Sequence, residues 1–106
     1  MPKYLVTGSY TAQGAEGLMK GGGTARRQAA ERLAASVGAS VESYYFAFGK
    51  DDFYLILDAP SNAAVSAMSL AASSSGAVRA RTVVLMTPEE MDAARDLHPD
   101  YTPPGG

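Results

Sequence analysis

The segment from Ser40 to Pro60, SVESYYFAFGKDDFYLILDAP, decides how the rest of the chain can fold. Side chains of different character alternate along two runs, about residues 40–48 and 53–59, and the polar stretch Gly49–Asp52 separates the runs. Two alternating runs joined by a short, glycine-containing connection are typical of a β-hairpin. We therefore predict two adjacent antiparallel strands in the middle of the chain.

A strand and a helical region precede this hairpin. Residues 3–10, KYLVTGSY, alternate as a strand does. Small and apolar residues then recur at steps of three and four, which indicates one face of a helix. Gly21-Gly22-Gly23 interrupts that pattern, at a cost of about 1 kcal/mol per glycine relative to alanine. We expect helical turns over 12–20, a bend or a break, and a firmer helix over 25–37 that Thr24 can cap.

A helix, a strand and a short helix follow the hairpin. Ser61 or Asn62 can cap a helix that ends at a Ser-Ser-Ser-Gly sequence. Residues 77–86, AVRARTVVLM, alternate as a strand, and the segment Thr87–Asp96 begins with Thr-Pro-Glu-Glu, a good helix start. The tail, residues 97–106, contains three prolines and two glycines and cannot form regular structure alone.

The order strand, helix, strand, strand, helix, strand predicts a split βαβ architecture. We expect an α+β, ferredoxin-like βαββαβ domain over residues 1–96, with a four-stranded antiparallel sheet, helices on one face, a short C-terminal helix and an irregular tail. Strand residues such as Leu55 and Ile56 place apolar groups on both faces of the sheet. The uncovered face therefore predicts a homodimer or a higher homo-oligomer, and the tail is expected to pack on a neighbouring subunit.

Composition excludes several classes of function. The chain of 106 residues suffices for one domain, and its net charge of −2 lacks the basic excess that nucleic-acid binding requires. No run of about 18 apolar residues occurs and no secretion signal is visible at the start, so we expect no membrane association and a cytoplasmic location. Cysteine is absent and His98 is the single histidine, so we expect neither a metal nor another cofactor.

Two arginines beside the glycine run are candidates for binding an anion. Arg26 and Arg27 follow Gly21-Gly22-Gly23-Thr24, where backbone N–H groups at a helix start can face an anionic ligand. The segment lacks the Lys-Ser/Thr ending of a phosphate loop. The alternative is that the glycines only bend the helix and that the arginines are solvated or paired with Glu31.

The remaining candidates for ligand binding lie on the predicted strands. Tyr44, Phe46 and Tyr54 can line an apolar pocket, or they can stack in the core or at a dimer interface. Asp52 can act as a base or as a metal ligand, or it can bond its own backbone in the turn. Arg79 can bind a carboxylate, or its charge can deter unwanted pairing at a sheet edge.

Four stretches of the sequence resemble the GYD domain family, small proteins placed with the dimeric α+β barrels: YTAQGAEGLMK, ARRQAAERLAASVGASVESYYFAFG, DFYLILDAPSNAA and GAVRARTVVLMTPEEM. The likeness spans about Tyr4 to Ala93 and includes Gly49 and Asp52 at the hairpin. Asp51 stands where the family usually has the tyrosine of its name, so no role of that tyrosine is carried over. The resemblance implies the fold and no particular reaction.

Two functions fit these observations. One is a homo-oligomeric protein that binds a small apolar or anionic molecule, or has a purely structural role, without chemistry of its own. The alternative is a cofactor-independent oxygenase or isomerase that acts on an aromatic or enolisable small molecule. A closed, filled core between sheet and helices favours the first, and an apolar pocket with a converging aspartate or arginine favours the second.

Overall fold

The computed structural model describes the whole chain, residues 1–106. In chain order, its helices and strands are β1 (Lys3–Tyr10), α1 (Ala12–Gly21), α2 (Gly23–Ala35), β2 (Ser40–Phe46), β3 (Phe53–Asp58), α3 (Asn62–Ser74), β4 (Val78–Leu85) and α4 (Pro88–Arg95). Each predicted strand and helix is present, and its ends lie within two residues of the predicted ends. The periodicity of the side chains therefore identified all the elements.

The four strands form one antiparallel sheet in the order β2-β3-β1-β4. One row across this sheet contains Tyr44, Leu55, Val6 and Thr82, in that order. The helices α2 and α3 pack on the face that carries this row, and the order of strands is that of the split βαβ unit. The predicted α+β, ferredoxin-like fold is confirmed.

The hydrophobic core lies between the helices and the sheet. Phe53, Leu55 and Leu57 alternate along the central strand β3 and are at most 6% exposed. They pack in one cluster with Ala34 of α2 and Met68 of α3. The alternating pattern of this strand thus determines which face of the sheet the helices cover.

The glycine run divides the helical region into two helices. Gly22 lies between them with a φ of 83°, and its N–H donates a hydrogen bond of 2.8 Å to the Leu18 carbonyl. Positive φ favours glycine because a side chain would be strained there. Gly22 is also the N-cap of α2, so the prediction that Thr24 caps this helix is wrong.

The hairpin connection is longer than the predicted four residues because β2 ends at Phe46, two residues before the predicted end. The connection spans residues 47–52, and the Ala47 N–H donates to the Asp52 carbonyl at 2.8 Å. The Asp52 N–H donates to the Gly8 carbonyl at 2.7 Å, and its carboxylate accepts the Tyr10 N–H at 2.9 Å. These bonds align the end of β1 with the start of β3.

The sheet face opposite the helices, which we term the open face, carries apolar side chains without a covering layer. Half-buried or exposed on it are Leu5, Tyr45, Tyr54, Ile56, Val83 and Leu85. Beyond β4, every residue from Met86 to Gly106 is exposed, α4 included. A single copy of the chain therefore leaves both the open face and its C-terminal segment unpartnered.

Candidate functional site

Two neighbouring hollows that share lining residues lie on the helix-covered side of the sheet. An apolar cavity of about 60 Å³ is enclosed by residues of α2, α3 and all four strands, among them Val6, Leu33 and Met68. A wider cleft of about 370 Å³, which we term the outer cleft, opens between α1, α2 and the start of β4. Arg26 and Val78 line both, so they form the boundary between cavity and cleft.

A pair of tyrosines stands beside this boundary. Tyr10 ends β1 and Tyr44 lies on β2, and their hydroxyl oxygens are 3.1 Å apart, within hydrogen-bonding distance. The ring of Phe53 on the intervening strand packs against both, with ring centres 5.3 Å from Tyr10 and 6.1 Å from Tyr44. Packing against Phe53 holds the two hydroxyl groups in place between sheet and helix.

Arg26 lies in the first turn of α2 and has no ionic partner. Its Nε is buried and makes no hydrogen bond, and it is the one buried side-chain nitrogen or oxygen in the chain without a partner. No carboxylate lies within salt-bridge distance of its guanidinium group, although six other ion pairs form in the chain. A buried donor without an acceptor costs about 1–3 kcal/mol, and more for a charged group. The unsatisfied Nε–H donor of Arg26 therefore requires an explanation.

The environment of Tyr10 keeps its phenol neutral. Burial raises the pKa of Tyr10 well above the usual value of 10.0, and the hydrogen bond with Tyr44 raises this pKa further. The charge of Arg26 and its polar contact with the Tyr10 hydroxyl both lower this pKa and do not reverse the shift. Tyr10 is therefore a hydrogen-bond donor or acceptor at neutral pH, and it is not a general base.

Glycines of α1 leave the outer cleft open. Gly17 and Gly21 line it, and a Cβ at either position would meet no atom within 4 Å. Gly14 is different, because a Cβ there would overlap the carbonyl oxygen of Ala77. Gly14 thus permits close packing of α1 on the chain before β4, whereas Gly17 and Gly21 leave space for another molecule.

The structure brings two of the candidate residues into this site and places two at its outer rim. Arg26 and Tyr44 line the apolar cavity. Arg27 points to solvent, with Nε 4.0 Å from a carboxylate oxygen of Glu31, as in the alternative described for it. Phe46 is 44% exposed and packs against Tyr44, with ring centres 5.3 Å apart.

The other three candidates line neither the cavity nor the cleft. Asp52 bonds the backbone at the end of β1, as described above. Tyr54 and Arg79 belong to the open face, on the opposite side of the sheet from the cavity. The neighbouring Asp51, which replaces the tyrosine of the family name, forms a 2.6 Å ion pair with Arg81.

Sequence reasoning missed Tyr10 and Gly17 as members of the site, whereas Gly21 and Gly22 were part of the glycine run named beside Arg26. Tyr10 shares a strand face with Tyr4 and Val6, both of which face the helices, so the alternation carried a signal for its position. No sequence pattern marked Gly17, because this residue contributes only the space that it leaves in the outer cleft. That space is visible only when the helices are packed.

The chain has no cluster suited to a metal ion and no helix suited to a membrane. No group of three or more His, Cys, Asp or Glu side chains is close enough to hold a cation. No helix combines the length and the hydropathy that crossing a bilayer requires. The absence of metal from the purified protein stays a prediction.

Comparison with known proteins bears on the identity of the chain. Residues 4–94 match the family model described as the GYD domain, which is most of the 106 residues. No curated protein and no solved structure matches the chain. The resemblance drawn from the four sequence stretches is therefore confirmed, and the chain belongs to the GYD domain family.

Proposed function

We propose that this protein binds a small, largely apolar molecule between its sheet and its helices. The observation that carries the proposal is the buried, unpartnered Nε of Arg26 at the boundary between an apolar cavity and an open cleft. Sites for small molecules are typically apolar hollows with a few polar groups that orient the ligand. Arg26, Tyr10 and Tyr44 are the polar groups here.

The size of the hollows suits a compact ligand. The outer cleft, at about 370 Å³, lies in the lower part of the usual range for ligand pockets, roughly 300–1,000 Å³. The cavity beneath it, at about 60 Å³, has room for a small apolar group only. A ligand that extends from the cleft past Arg26 into the cavity fills both.

A cofactor-independent oxygenase or isomerase is the second candidate. An arginine that converges on an apolar cavity, with two phenols beside it, can stabilise an enolate oxygen. However, no carboxylate and no imidazole lines the cavity or the cleft, and Tyr10 holds its proton. A proton acceptor for such a reaction is missing from the single chain, so binding without chemistry stands first.

The proposal includes self-association through the open face. Its apolar residues are surrounded by charged ones: Lys3 with Glu42 and Asp58 at one end, and Arg81 with Asp51 at the other. A second copy of the chain, packed face to face, offers a matching apolar centre. Leu5, Tyr54 and Ile56 then lie between two sheets rather than against water. The cytoplasmic location stays a prediction of the sequence.

Protein-observed NMR with neutral apolar probes tests the binding proposal. With indole, cyclohexanone and benzyl alcohol as probes, we expect saturable shifts at Gly17, Ala29 and Val78, which line the outer cleft. Gly17→Leu fills the cleft and should abolish the shifts. The control Gln28→Leu adds the same side chain at an exposed site on α2, outside both hollows, and should leave them unchanged. Shifts that persist in Gly17→Leu would contradict the proposal.

A further inference from the structure

We propose that the molecule bound at this site is a small monocarboxylate with an apolar body, an inference that rests on the proposed function. Its carboxylate would lie at the boundary between cavity and cleft, against Arg26 and the tyrosine pair. Its apolar part would occupy the space beside the glycines of α1. The inference rests on the number of hydrogen-bond donors, the balance of charge and the lining of the two hollows.

The donors at the boundary outnumber the acceptors. Tyr10 and Tyr44 share one hydrogen bond, so one of the two hydroxyl protons is used and the other is free to be donated. The Nε–H of Arg26 is a second donor without a partner. The tyrosine oxygens can accept some of these protons, but a guanidinium group carries five N–H donors and no acceptor, so the side-chain donors remain in excess. This excess favours a ligand that presents acceptor oxygens. A carboxylate presents two such oxygens and no donor.

The charge at the boundary is also uncompensated. Arg26 is the only charged residue that lines either hollow. No carboxylate forms an ion pair with Arg26: Glu31 faces Arg27, Glu16 faces Lys20 and Asp51 bonds Arg81. The carboxylate of Asp52 accepts the backbone N–H of Tyr10 and has no cation within salt-bridge distance. A half-buried guanidinium group without a counter-ion is costly, and a ligand carboxylate would supply both the opposite charge and charge-assisted hydrogen bonds.

The same features distinguish a carboxylate from other ligands with acceptor oxygens. A neutral ketone or amide satisfies the vacant donors and leaves the charge of Arg26 unbalanced. A phosphate ester carries close to two negative charges at neutral pH, and the site offers one cation and an apolar lining. One guanidinium group beside an apolar cavity matches one negative charge attached to an apolar body.

Matched acid and amide probes test this inference in the full-length protein. Phenylacetate and phenylacetamide have nearly the same shape and differ in charge, and their dissociation constants are measured by NMR titration. We expect phenylacetate to bind at least about tenfold more tightly, since a charge-assisted pair in a partly buried site is worth more than a neutral hydrogen bond. Phenyl phosphate, as a third probe, should bind more weakly than phenylacetate.

Two arginine variants locate the source of the preference. In Arg26→Gln the ratio of the two constants should fall to about one, whereas Arg26→Lys should retain part of the preference. Arg27→Gln removes an exposed charge one residue away and should leave the ratio as in the unmodified protein. Because the acid and the amide are first compared in the unmodified protein, the test does not depend on the folding of any variant.

The outcomes separate this inference from the proposed function. Equal affinity for the acid and the amide, tighter binding of phenyl phosphate, or a preference for the acid that survives in Arg26→Gln would overturn the carboxylate inference. In those cases saturable, Gly17-dependent binding of the neutral probes would leave the proposed function standing. Failure of the acid, the amide and all the neutral probes to bind would overturn both.

Discussion

At the scale of single residues, two glycines of α1 have different surroundings, so an added side chain would have a different effect at each. Gly14 packs against the backbone at Ala77, where a Cβ would overlap the carbonyl oxygen. Gly17 lies one turn later in the same helix and borders empty space. An alanine at position 14 therefore tests the close packing of α1, and an alanine at position 17 tests helix propensity in the same helix.

We expect opposite changes in stability from Gly14→Ala and Gly17→Ala. Gly14→Ala should lower the free energy of unfolding by about 1–3 kcal/mol, because α1 must move away from the chain before β4. Gly17→Ala should raise that free energy by about 0.4–1 kcal/mol, because alanine favours the helix and meets no neighbour. Urea denaturation measures both, and equal effects of the two changes would contradict this account of the packing.

Tyr10 should make the stability of the fold depend on alkaline pH. Its pKa is higher in the folded chain than the usual 10.0, so its contribution to stability is fully present below about pH 10 and is lost as pH rises beyond that value. Lys3 acts in the same direction, since the hydrogen bonds to Asp58 and Glu42 raise its pKa. We expect Tyr10→Phe to weaken the decline in unfolding free energy above pH 10.

Denaturation in urea at several pH values between 7 and 11 checks this dependence on Tyr10. The relevant quantity is the difference between Tyr10→Phe and the unmodified protein, because the effect of Lys3 is common to both. The control Tyr101→Phe changes an exposed tyrosine of the tail. If the unfolding free energy falls with pH by the same amount in Tyr10→Phe and in the unmodified protein, the raised pKa of Tyr10 is contradicted.

At the scale of elements, α4 and the tail have local order without tertiary packing. Thr87 and Glu90 form a complete capping box at the start of α4, yet no residue of this helix is buried. Met91, Leu97 and Tyr101 are 58%, 80% and 74% exposed. An isolated helix of eight residues has marginal stability in water. The exposed apolar side chains of α4 and of the tail therefore favour contact with another subunit.

Truncation after Arg95 tests whether the tail packs on a neighbouring subunit. Burial of Tyr101 would contribute roughly 1.5–3 kcal/mol. Ordering of the segment costs about 1 kcal/mol for each residue, less where prolines already restrict the chain. We expect the truncated protein to show a lower melting temperature and weaker association. An unchanged oligomer size and melting temperature at several protein concentrations would show that the tail makes no such contact.

At the scale of the whole molecule, one face of the sheet is covered and the other is not. The end of the edge strand β4 is uncovered on both sides, with Val83 49% and Val84 59% exposed. The apolar residues of the open face lie on all four strands, with Ile56 and Val83 on either side of Leu5. A continuous exposed apolar surface of this kind favours a second protein layer.

We expect Ile56→Lys to convert a dimer to a monomer with the fold intact. In a dimer the lysine would lie between two sheets without a partner, and a cost of several kcal/mol implies that the dissociation constant rises by at least about 100-fold. The control Leu70→Lys makes a similar change at an exposed position of α3. Sedimentation velocity at micromolar concentration measures the effect. A monomeric unmodified protein, or a dimer that tolerates Ile56→Lys, would contradict association through the open face.

The sequence by itself determined the order of the strands and helices and the ferredoxin-like architecture. Alternation in residues 40–60 and the three-and-four spacing before Gly38 are local signals, since each depends on the period of one element. Residue chemistry named Arg26 as a candidate for binding an anion and Tyr44 as a candidate for lining an apolar pocket, without placing them in one site. The local signals were weaker at the ends of elements, where Gly22 and Asp52 change the hydrogen bonding.

Only the tertiary structure decided which candidates meet. Arg26 and Arg27 are the same residue type and follow the same glycine run, so the sequence did not distinguish them. Adjacent residues of a helix point about 100° apart, and Arg26 therefore faces the cavity whereas Arg27 faces solvent. Tyr10 and Tyr44 are separated by 34 residues and meet because β1 and β2 flank β3 in the sheet. The outer cleft is formed where α1, α2 and the start of β4 come together, and Gly17 leaves space in it. Such contacts depend on the packing of distant segments, which no period along the chain records.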